Sequence, residues 1–239
     1  SFMNVTGAEN ELSNFIFESL RKKDITVETD CNGCVIARLV GTKELKKKIM
    51  IATPIDIPGY ISLYKENKTL FLTPTHKTLN DKNFPKYVFD STRKKYSLKE
   101  SPYNKNECCL TCPTGKIGKA FRNFPYFENI EENLIGNYAC NYVLIDLLLK
   151  LSEINFENDL TFCFTTGFYS NDSSEANIAY REKPDVSILL GFSEDHCEKP
   201  IVVVKNGKHF SSEKLLDHAK KVSNDSGSTL YITRADTKI

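Results

Sequence analysis

The chain has 239 residues, of which 40% are hydrophobic, and this length is sufficient to bury a sizeable core. Its 32 Lys and Arg residues nearly cancel its 31 Asp and Glu residues, which argues against a strong overall field for nucleic acid or acidic lipid. The most apolar run, YVLIDLLLKL, contains Asp146 and is shorter than a membrane-spanning helix. We therefore expect a globular protein with no nucleic-acid partner and no membrane segment.

Eight cysteines occur in the sequence, and we find no signal peptide with a basic start and an apolar run. This combination favours free thiols in a reducing compartment, so we expect a cytoplasmic protein. Cys31 and Cys34 form one Cys-x-x-Cys pair, Cys109 and Cys112 form another, and the two pairs together could hold zinc. The Asn-Gly inside the first pair is better explained as the turn of a β-hairpin.

The N-terminal part of the chain combines a helix with two hairpins. Residues 9–23 place apolar side chains on one face and charges on the other, which predicts an amphipathic helix. The segment KKIMIATPI predicts a strand, and YISLYKENKTLFLTP predicts a second hairpin with Glu66 and Asn67 near its tip. Scattered prolines and short apolar pieces between residues 74 and 127 favour a small β-rich insertion with long loops.

Strand and helix patterns alternate in the C-terminal part. NYACNYVLIDLLLKL carries apolar residues at helical spacing, namely Cys140, Val143, Leu144, Leu147, Leu148 and Leu151. Strand patterns at LTFCFTT, VSILLGF, IVVV and TLYIT flank helices near 173–181 and 212–222. This alternation predicts an α/β fold with a mixed, largely parallel sheet flanked by helices. We assign residues 1–66 and 128–239 to this core and residues 67–127 to the β-rich insertion.

Five segments match the motifs of one peptidase family in the correct order. Thr6-Gly7-Ala8-Glu9 is similar to a Ser-Gly-X-Glu helix start, and TDCNGCVIARLVG is similar to an Asp-X-X-Gly-Asn hairpin. IATPIDIPGYIS resembles a strand with His-X-Asp-Glu-X-Gly, and LIGNYACNYVLIDLLLKL resembles a helix opened by Asp-Asp-Arg. FTTGFYSNDSSEANIAYREKPDVSILLG is similar to a segment with Glu-Glu-X-Gly, Lys-Pro-Asp and a strand-end Asp. The chain thus resembles the tetrahedral, deblocking and glutamyl aminopeptidases, whose core binds two zinc or cobalt ions.

The metal-binding and catalytic positions implied by this resemblance hold residues without a suitable donor, namely Pro54, Gly136, Phe168, Tyr169 and Gly191. They stand for the first His, the bridging Asp, the catalytic Glu with its neighbouring ligand, and the strand-end Asp. Asp56 matches an Asp that supports the His without binding metal, and Asn137 is the other polar group left in the pocket. We expect no metal cofactor and no catalytic residue. We also expect an apolar cleft filled by Phe168 and Tyr169, which is either closed or suited to an uncharged or aromatic ligand.

The leading interpretation is therefore a degenerate, catalytically inactive aminopeptidase-like protein with a binding, scaffolding or regulatory role. We expect a homodimer, because relatives with such an insertion use it to assemble, and we expect the C-terminal part of the family's fold to be absent. An active metal-dependent aminopeptidase or hydrolase is the first alternative, with Glu194-Asp195-His196-Cys197 as its best candidate site. A zinc-binding module built on Cys31, Cys34, Cys109 and Cys112 is the second.

Overall fold

The structure of the protein is a computed structural model, which describes residues 2–23, 25–76, 85–104, 106–122, 128–130, 133–135, 139–168, 174–191, 201–206, 209–210 and 212–235. Ser1–Gly191 form one compact unit, and Phe192–Ile239 form a second. Within the described ranges, every helix is too short or too polar to cross a bilayer.

A run of short strands separates the first helix from the second. The helices are α1 (Asn10–Arg21), α2 (Ala139–Leu151), α3 (Ser174–Glu182) and α4 (Glu213–Asp225). The strands of the first unit are β1 (Thr26–Thr29), β2 (Val35–Leu39), β3 (Lys48–Pro54), β4 (Tyr60–Glu66), β5 (Thr69–Pro74), β6 (Tyr87–Phe89), β7 (Lys95–Ser97), β8 (Lys99–Glu100), β9 (Cys108–Thr111), β10 (Ala120–Phe121), β11 (Glu128–Ile130), β12 (Asn133–Ile135), β13 (Asp159–Thr165) and β14 (Val186–Leu189). The strands of the second unit are β15 (Ile201–Asn206), β16 (His209–Phe210) and β17 (Tyr231–Ala235).

A five-stranded sheet with the order β1-β2-β13-β3-β14 forms the centre of the first unit. β3 is parallel to β13 and β14, whereas β2 is antiparallel to β1 and β13. Side chains alternate between the two faces of a strand, and α1 and α2 cover one face through Leu12, Ile16 and Leu148. α3 covers the other face through Ile178, which packs with Ile36. The predicted mixed α/β fold with flanking helices is confirmed.

The predicted N-terminal helix and the hairpin that follows it are both confirmed. The Asp30 carboxylate closes the hairpin turn, since its Oδ1 accepts the N–H groups of Asn32 and Cys34 at 2.9 and 3.0 Å. Gly33 completes the turn with φ at +85°, a conformation that residues with a Cβ rarely adopt. The Asn-Gly of the first cysteine pair therefore serves the turn, as the sequence indicated.

α2 was predicted correctly, and its apolar stripe was predicted in part, since Leu148 is buried and Leu151 packs against the core as expected. Val143 and Leu147 are 60% and 43% exposed, whereas Asn141, Ile145 and Leu148 are buried. Nearly every position of this helix is apolar, so residue spacing alone does not determine which side faces the sheet. The polar Asn141 is buried because it makes a specific hydrogen bond beside the cleft described below.

A second sheet of the first unit has the strand order β10-β4-β5-β9-β8, and all of its pairs are antiparallel. β4 and β5 form the predicted hairpin, and Asn67 at its tip has φ at +52°. Tyr60 and Phe121 are buried in the core of this sheet together with Leu70 and Leu72. β4 therefore pairs with strands of the predicted insertion, and the boundary between residues 66 and 67 falls at a hairpin tip. The division into a core and an insertion stays a prediction.

The second unit contains a three-stranded sheet with the order β16-β15-β17. β15 is antiparallel to β16 and parallel to β17, as expected for strands joined through a helical connection. α4 lies between these strands in sequence and begins after Ser212, whose backbone is extended as is usual for an N-cap residue. The strands predicted at IVVV and TLYIT and the helix predicted between them are confirmed.

Candidate functional site

An open cleft lies at the edge of the first sheet where β13 ends and β2 begins. Thr166 and Gly167 follow β13 directly, and Asn32 belongs to the turn before β2. The cleft has a volume of about 370 Å³, and its described lining residues are Thr6, Gly7, Glu9, Asn32, Thr75, Thr166, Gly167 and Ser174. Ligand sites in α/β folds collect beyond the carboxyl ends of parallel strands, and β13 and β3 are parallel. The cleft is therefore the candidate functional site.

Asp56 follows β3 and lies behind Thr6, with its side chain fully buried. Its Oδ2 accepts the Thr6 hydroxyl at 2.8 Å, and its Oδ1 accepts the Phe168 N–H at 3.3 Å. Asn141 on α2 donates its side-chain amide to the Asp56 carbonyl at 2.8 Å. Donors of this kind offset the desolvation of a buried carboxylate. Asp56 consequently joins the segment before α1, the start of α2 and the end of β13.

Glu9 is the acidic residue among the described residues that line the cleft, and it is only 6% exposed. The Gly7 N–H donates to Glu9 Oε1 at 2.9 Å. Burial raises the pKa of Glu9 to about 7, because desolvation disfavours the carboxylate and the charge of Asp56 repels it. The amides of Gly7, Ala8 and Glu9 itself act in the opposite direction but do not cancel the effect. The Glu9 carboxyl group therefore changes charge near neutral pH.

Three hydroxyl groups of the lining donate their protons to other protein atoms. Thr6 donates to Asp56 Oδ2 at 2.8 Å, as described above. Thr166 donates to the Asn32 carbonyl at 2.8 Å, and Ser174 donates to the Thr166 carbonyl at 2.9 Å. A hydroxyl oxygen whose proton is used in this way still has lone pairs that accept hydrogen bonds. The lining therefore offers acceptor oxygens beside one carboxyl group.

Three of the implied metal positions lie among the described residues, and their side chains cannot bind a metal ion. Pro54 is buried at the end of β3, Phe168 is 44% exposed, and Gly191 lies in open space beyond β14. None of these three has a side-chain oxygen, nitrogen or sulfur that could bind a metal. The remaining positions lie outside the described residues, namely Gly136, Asn137 and Tyr169. Across the part of the chain that the structure describes, no three His, Cys, Asp or Glu side chains are grouped to hold a metal ion.

The expectation that Phe168 and Tyr169 fill an apolar cleft at the replaced metal positions stays a prediction, because Tyr169 lies outside the described residues. Phe168 is half-exposed and is not among the described lining residues, which are mostly polar. That expectation was based on the replaced metal positions alone. The residues that line the cleft come instead from the start of α1, the β1–β2 turn and the end of β5. Thr6 and Glu9 were quoted as part of a motif, but their place in the cleft was not predicted. Asn32, Thr75 and Ser174 had no sequence signal that identified them as lining residues.

The two cysteine pairs lie in different parts of the first unit. Cys34 is buried with Ile36 beside the first sheet, where burial raises the pKa of its thiol. Cys112 is buried in the core of the second sheet, and Cys31 is exposed. The structure therefore does not bring the four thiols predicted for a zinc site, which include the half-buried Cys109, into one group. The alternative site at residues 194–197 lies outside the described residues.

The sequence matches no protein-family model and no curated protein sequence, whereas the structure is similar to solved structures along nearly the whole chain. An aminopeptidase from the archaeon Desulfurococcus kamchatkensis superimposes with a TM-score of 0.78 and 15% identity, over 97% of this chain and 76% of that chain. The TET1 peptidase of Pyrococcus horikoshii, which can assemble into a tetrahedron or a large octahedral shell, gives a TM-score of 0.72 and 12% identity, over 97% and 80% of the two chains.

A Thermotoga maritima structure described as an endoglucanase superimposes with a TM-score of 0.70 and 16% identity, over 98% of this chain and 82% of that chain. The described functions of these similar structures differ, and all identities are low. A fold can carry several functions, so the similarity concerns architecture. The chain has the fold of these aminopeptidases.

Proposed function

We propose that this chain is a catalytically inactive aminopeptidase-like protein that uses its cleft for binding. One observation carries the proposal: the positions implied for metal ligands and for the catalytic Glu hold Pro54, Gly136, Phe168, Tyr169 and Gly191. Two-metal hydrolysis requires a bridging carboxylate, further carboxylate and imidazole ligands, and a base for the attacking water. Loss of one ligand weakens such a site, whereas loss of the whole set removes the charge that holds divalent ions.

The remaining carboxylate at these positions supports the same conclusion. Asp56 is buried, and it accepts hydrogen bonds from the Thr6 hydroxyl and the Phe168 N–H. Because Asp56 is fully buried, a metal ion could reach this carboxylate only if the surrounding residues moved. We infer that Asp56 has a structural role, in which it shapes the wall of the cleft.

An aminopeptidase assay tests the proposed inactivity. The full chain is incubated with a panel of peptides that differ in their N-terminal residue, after addition of zinc, cobalt or manganese, and release of free amino acids is measured. We expect no release above the protein-free control for any metal. Release that is abolished by a chelator and restored by metal would instead establish the active metallopeptidase, with ligands among residues such as Glu194–Cys197.

We also propose a homodimer and a cytoplasmic location. The described cysteines are free, which suits a reducing compartment. The assembly of Pyrococcus horikoshii TET1 into closed particles shows that a protein with this fold can use its surface for self-association. Light scattering over a range of protein concentrations tests the dimer. A monomer at the highest concentration, or a particle of shell size, would contradict it.

A further inference from the structure

We propose that the cleft binds a small organic cation with N–H donors, such as a primary ammonium ion, through the Glu9 carboxylate and the surrounding hydroxyl oxygens. This inference rests on the binding role proposed for the same cleft and identifies the class of ligand. The cleft has room for a small molecule, with a volume of about 370 Å³. Its chemistry is defined by what the described lining residues offer to a ligand.

The first argument is the incomplete pairing of Glu9. Glu9 is 6% exposed, so its carboxyl group has lost most of its contact with water. The backbone N–H of Gly7 donates to Oε1 at 2.9 Å. Among the described residues, no side chain donates a hydrogen bond to the Glu9 carboxyl group and no Lys, Arg or His forms an ion pair with it. The amides of Gly7, Ala8 and Glu9 favour this carboxylate but carry no charge. Buried carboxylates in proteins are usually paired with a cation, which a cationic ligand would supply.

The second argument is the orientation of the hydroxyl protons. Thr6, Thr166 and Ser174 use their protons for Asp56 Oδ2, the Asn32 carbonyl and the Thr166 carbonyl, respectively. Their oxygens can therefore accept hydrogen bonds from a ligand but cannot donate to one without breaking these contacts. A ligand with N–H donors is complementary to these three oxygens and to the Glu9 carboxylate, which would repel a carboxylate or a phosphate.

The third argument excludes a divalent metal as the preferred occupant. Mg²⁺ and Ca²⁺ bind sites with several carboxylates or carbonyl oxygens in octahedral or larger coordination shells. The cleft offers one carboxyl group, since the Asp56 carboxylate accepts the Thr6 hydroxyl and the Phe168 N–H. A single positive charge with directional N–H donors matches one carboxylate and neutral oxygens better than a double charge does.

Binding is measured by calorimetry with butylammonium chloride added to the full chain at about pH 8, where most of Glu9 is ionised. We expect saturable binding with butylammonium. Butanol, which has no charge, butyrate, which has the opposite charge, and tetramethylammonium, which has no N–H donor, are each expected to bind at least about tenfold more weakly. Equal binding of any of these three compounds would overturn the proposal, and so would stronger binding of Mg²⁺ or Zn²⁺ alone.

Two substitutions locate the site. Glu9→Gln keeps the shape of the side chain and an acceptor for the Gly7 N–H but removes the charge, and we expect it to weaken butylammonium binding at least about tenfold. Glu11→Gln is the matched control. Glu11 is the second residue of α1, and its side chain is exposed to solvent. We expect this control to bind like the original protein. Unchanged binding by the Glu9→Gln variant, with its fold verified by circular dichroism, would overturn the proposal.

The pH dependence of butylammonium binding provides a second test of the same site. Because the pKa of Glu9 is raised to about 7, lowering the pH from about 8 to about 6 is expected to weaken binding about tenfold. Other described titratable groups near the cleft are Asp56 behind Thr6, Cys34 beside Thr166, Asp30 beside Asn32, Glu175 beside Ser174 and His76 after Thr75. A His76→Gln variant distinguishes His76 from Glu9. We expect this variant to keep the pH dependence of binding, whereas Glu9→Gln is expected to remove it. Loss of the pH dependence in the His76→Gln variant would contradict the assignment to Glu9.

The outcomes distinguish this inference from the proposed function. If the protein releases no amino acids from peptides and does not bind butylammonium, the cation site is wrong and the inactive assignment stands. If it shows chelator-sensitive peptidase activity, the inactive assignment is wrong, and the Glu9→Gln comparison still decides whether the cation site exists.

Discussion

The hydroxyl of Thr6 donates to Oδ2 of Asp56 across 2.8 Å, and both residues are buried. This contact joins the segment before α1 to the segment after β3. Backbone hydrogen bonds continue the junction, since the Ile57 N–H donates to the Asn4 carbonyl at 2.8 Å. The side-chain amide of Asn4 donates to the Ile55 carbonyl at 2.7 Å. These hydrogen bonds hold the N-terminal segment against the segment after β3. Thr6 both lines the cleft and makes one of these hydrogen bonds.

The first prediction concerns this anchor. Thr6→Val keeps the shape of the side chain but removes the hydroxyl donor, so the buried Asp56 carboxylate loses one of its hydrogen bonds. We expect the free energy of unfolding to fall by about 1–3 kcal/mol, as measured by urea denaturation. Thr26→Val in β1 is the matched control, because Thr26 is exposed, and its effect is expected to stay within about 0.5 kcal/mol. Equal effects at the two positions would show that the hydrogen bond to Asp56 does not contribute to stability.

The second prediction concerns the charge of Glu9. The folded protein holds the pKa of Glu9 at about 7, whereas an unfolded chain has the ordinary value of about 4.3. Between these values the folded state binds more protons, so the protein loses stability as the pH rises through this window. Glu9→Gln carries no charge to lose. Its stability relative to the original protein is therefore expected to increase by roughly 3 kcal/mol between about pH 4 and about pH 8.

Thermal or urea unfolding at several pH values measures this difference. Glu11→Gln is again the control, because the side chain lies exposed on the same helix. We expect the stability of this control relative to the original protein to change little with pH. A Glu9→Gln variant that loses stability relative to the original protein as the pH rises would show that Glu9 acts as a stabilising carboxylate, and the sign of our argument would be wrong.

The third prediction concerns an ion network that joins α3 to the first sheet. Arg38 on β2 donates Nε and Nη2 to Glu182 at 2.8 and 2.7 Å, and Nη2 also reaches Glu28 at 3.0 Å. The hydrogen bonds from Arg38 lower the pKa of Glu182, whose side chain is 12% exposed. Arg38→Ala leaves this carboxylate without its bidentate partner, and we expect a loss of about 1–3 kcal/mol near neutral pH.

The depressed pKa of Glu182 sets the pH dependence of this loss. The network stabilises the fold above the ordinary Glu pKa of about 4.3, and its contribution disappears as the pH falls through the lower pKa of the folded state. The difference between Arg38→Ala and the original protein is therefore expected to shrink in acid. Arg21→Ala is the control, since Arg21 and its partner Glu18 are both more than half exposed. A loss in this control as large as that in Arg38→Ala would argue against the special role of the network.

The sequence allowed the main elements to be predicted because their signals are local. Asn32-Gly33 specified a turn, the apolar spacing after Glu9 specified α1, and alternating patterns specified the β4–β5 hairpin. The exposed side of α2 was not predictable from spacing, because Val143 and Leu147 are as apolar as the residues that are buried. The sheet to which β4 belongs depends on its pairing partners, which a strand pattern does not specify.

The polar character of the cleft was not predictable for a related reason. Thr6, Asn32 and Thr75 come from three distant segments, and only the fold brings them to one surface. The hydroxyl protons of Thr6, Thr166 and Ser174 are directed by partners that no local pattern identifies. Motif comparison identified the replaced positions such as Pro54, but it did not show which side chains form the lining.

The fourth prediction concerns Asp90, which organises the β6–β7 hairpin. Its Oδ1 accepts the N–H groups of Thr92 and Lys94 at 2.9 and 3.0 Å, and its Oδ2 accepts Tyr96 and Lys119 at 2.9 and 2.7 Å. Burial alone would raise the pKa of Asp90, but the hydrogen bonds from Lys119, Thr92 and Tyr96 outweigh it and lower the pKa. Asp90→Ala leaves several buried donors unpaired, and we expect a loss of about 3 kcal/mol or more in urea unfolding.

A matched substitution at an exposed carboxylate controls for the loss of a negative charge. Asp217 on α4 is 66% exposed in its side chain, and its partner among the described residues is Lys220, one turn further along the same helix. Asp217→Ala is expected to change the unfolding free energy by less than about 0.5 kcal/mol. If Asp90→Ala is tolerated equally well, the carboxylate is not the organising group of the hairpin.

The metal content of the purified full chain tests the central claim most directly. The protein is loaded with excess zinc, cobalt or manganese, washed free of unbound ions, and analysed by mass spectrometry of the metals. Because Pro54, Phe168 and Gly191 supply no metal donor, we predict far less than one equivalent per chain. About two equivalents, retained in a variant with Cys31, Cys34, Cys109 and Cys112 changed to Ser, would show a dinuclear site and contradict the account.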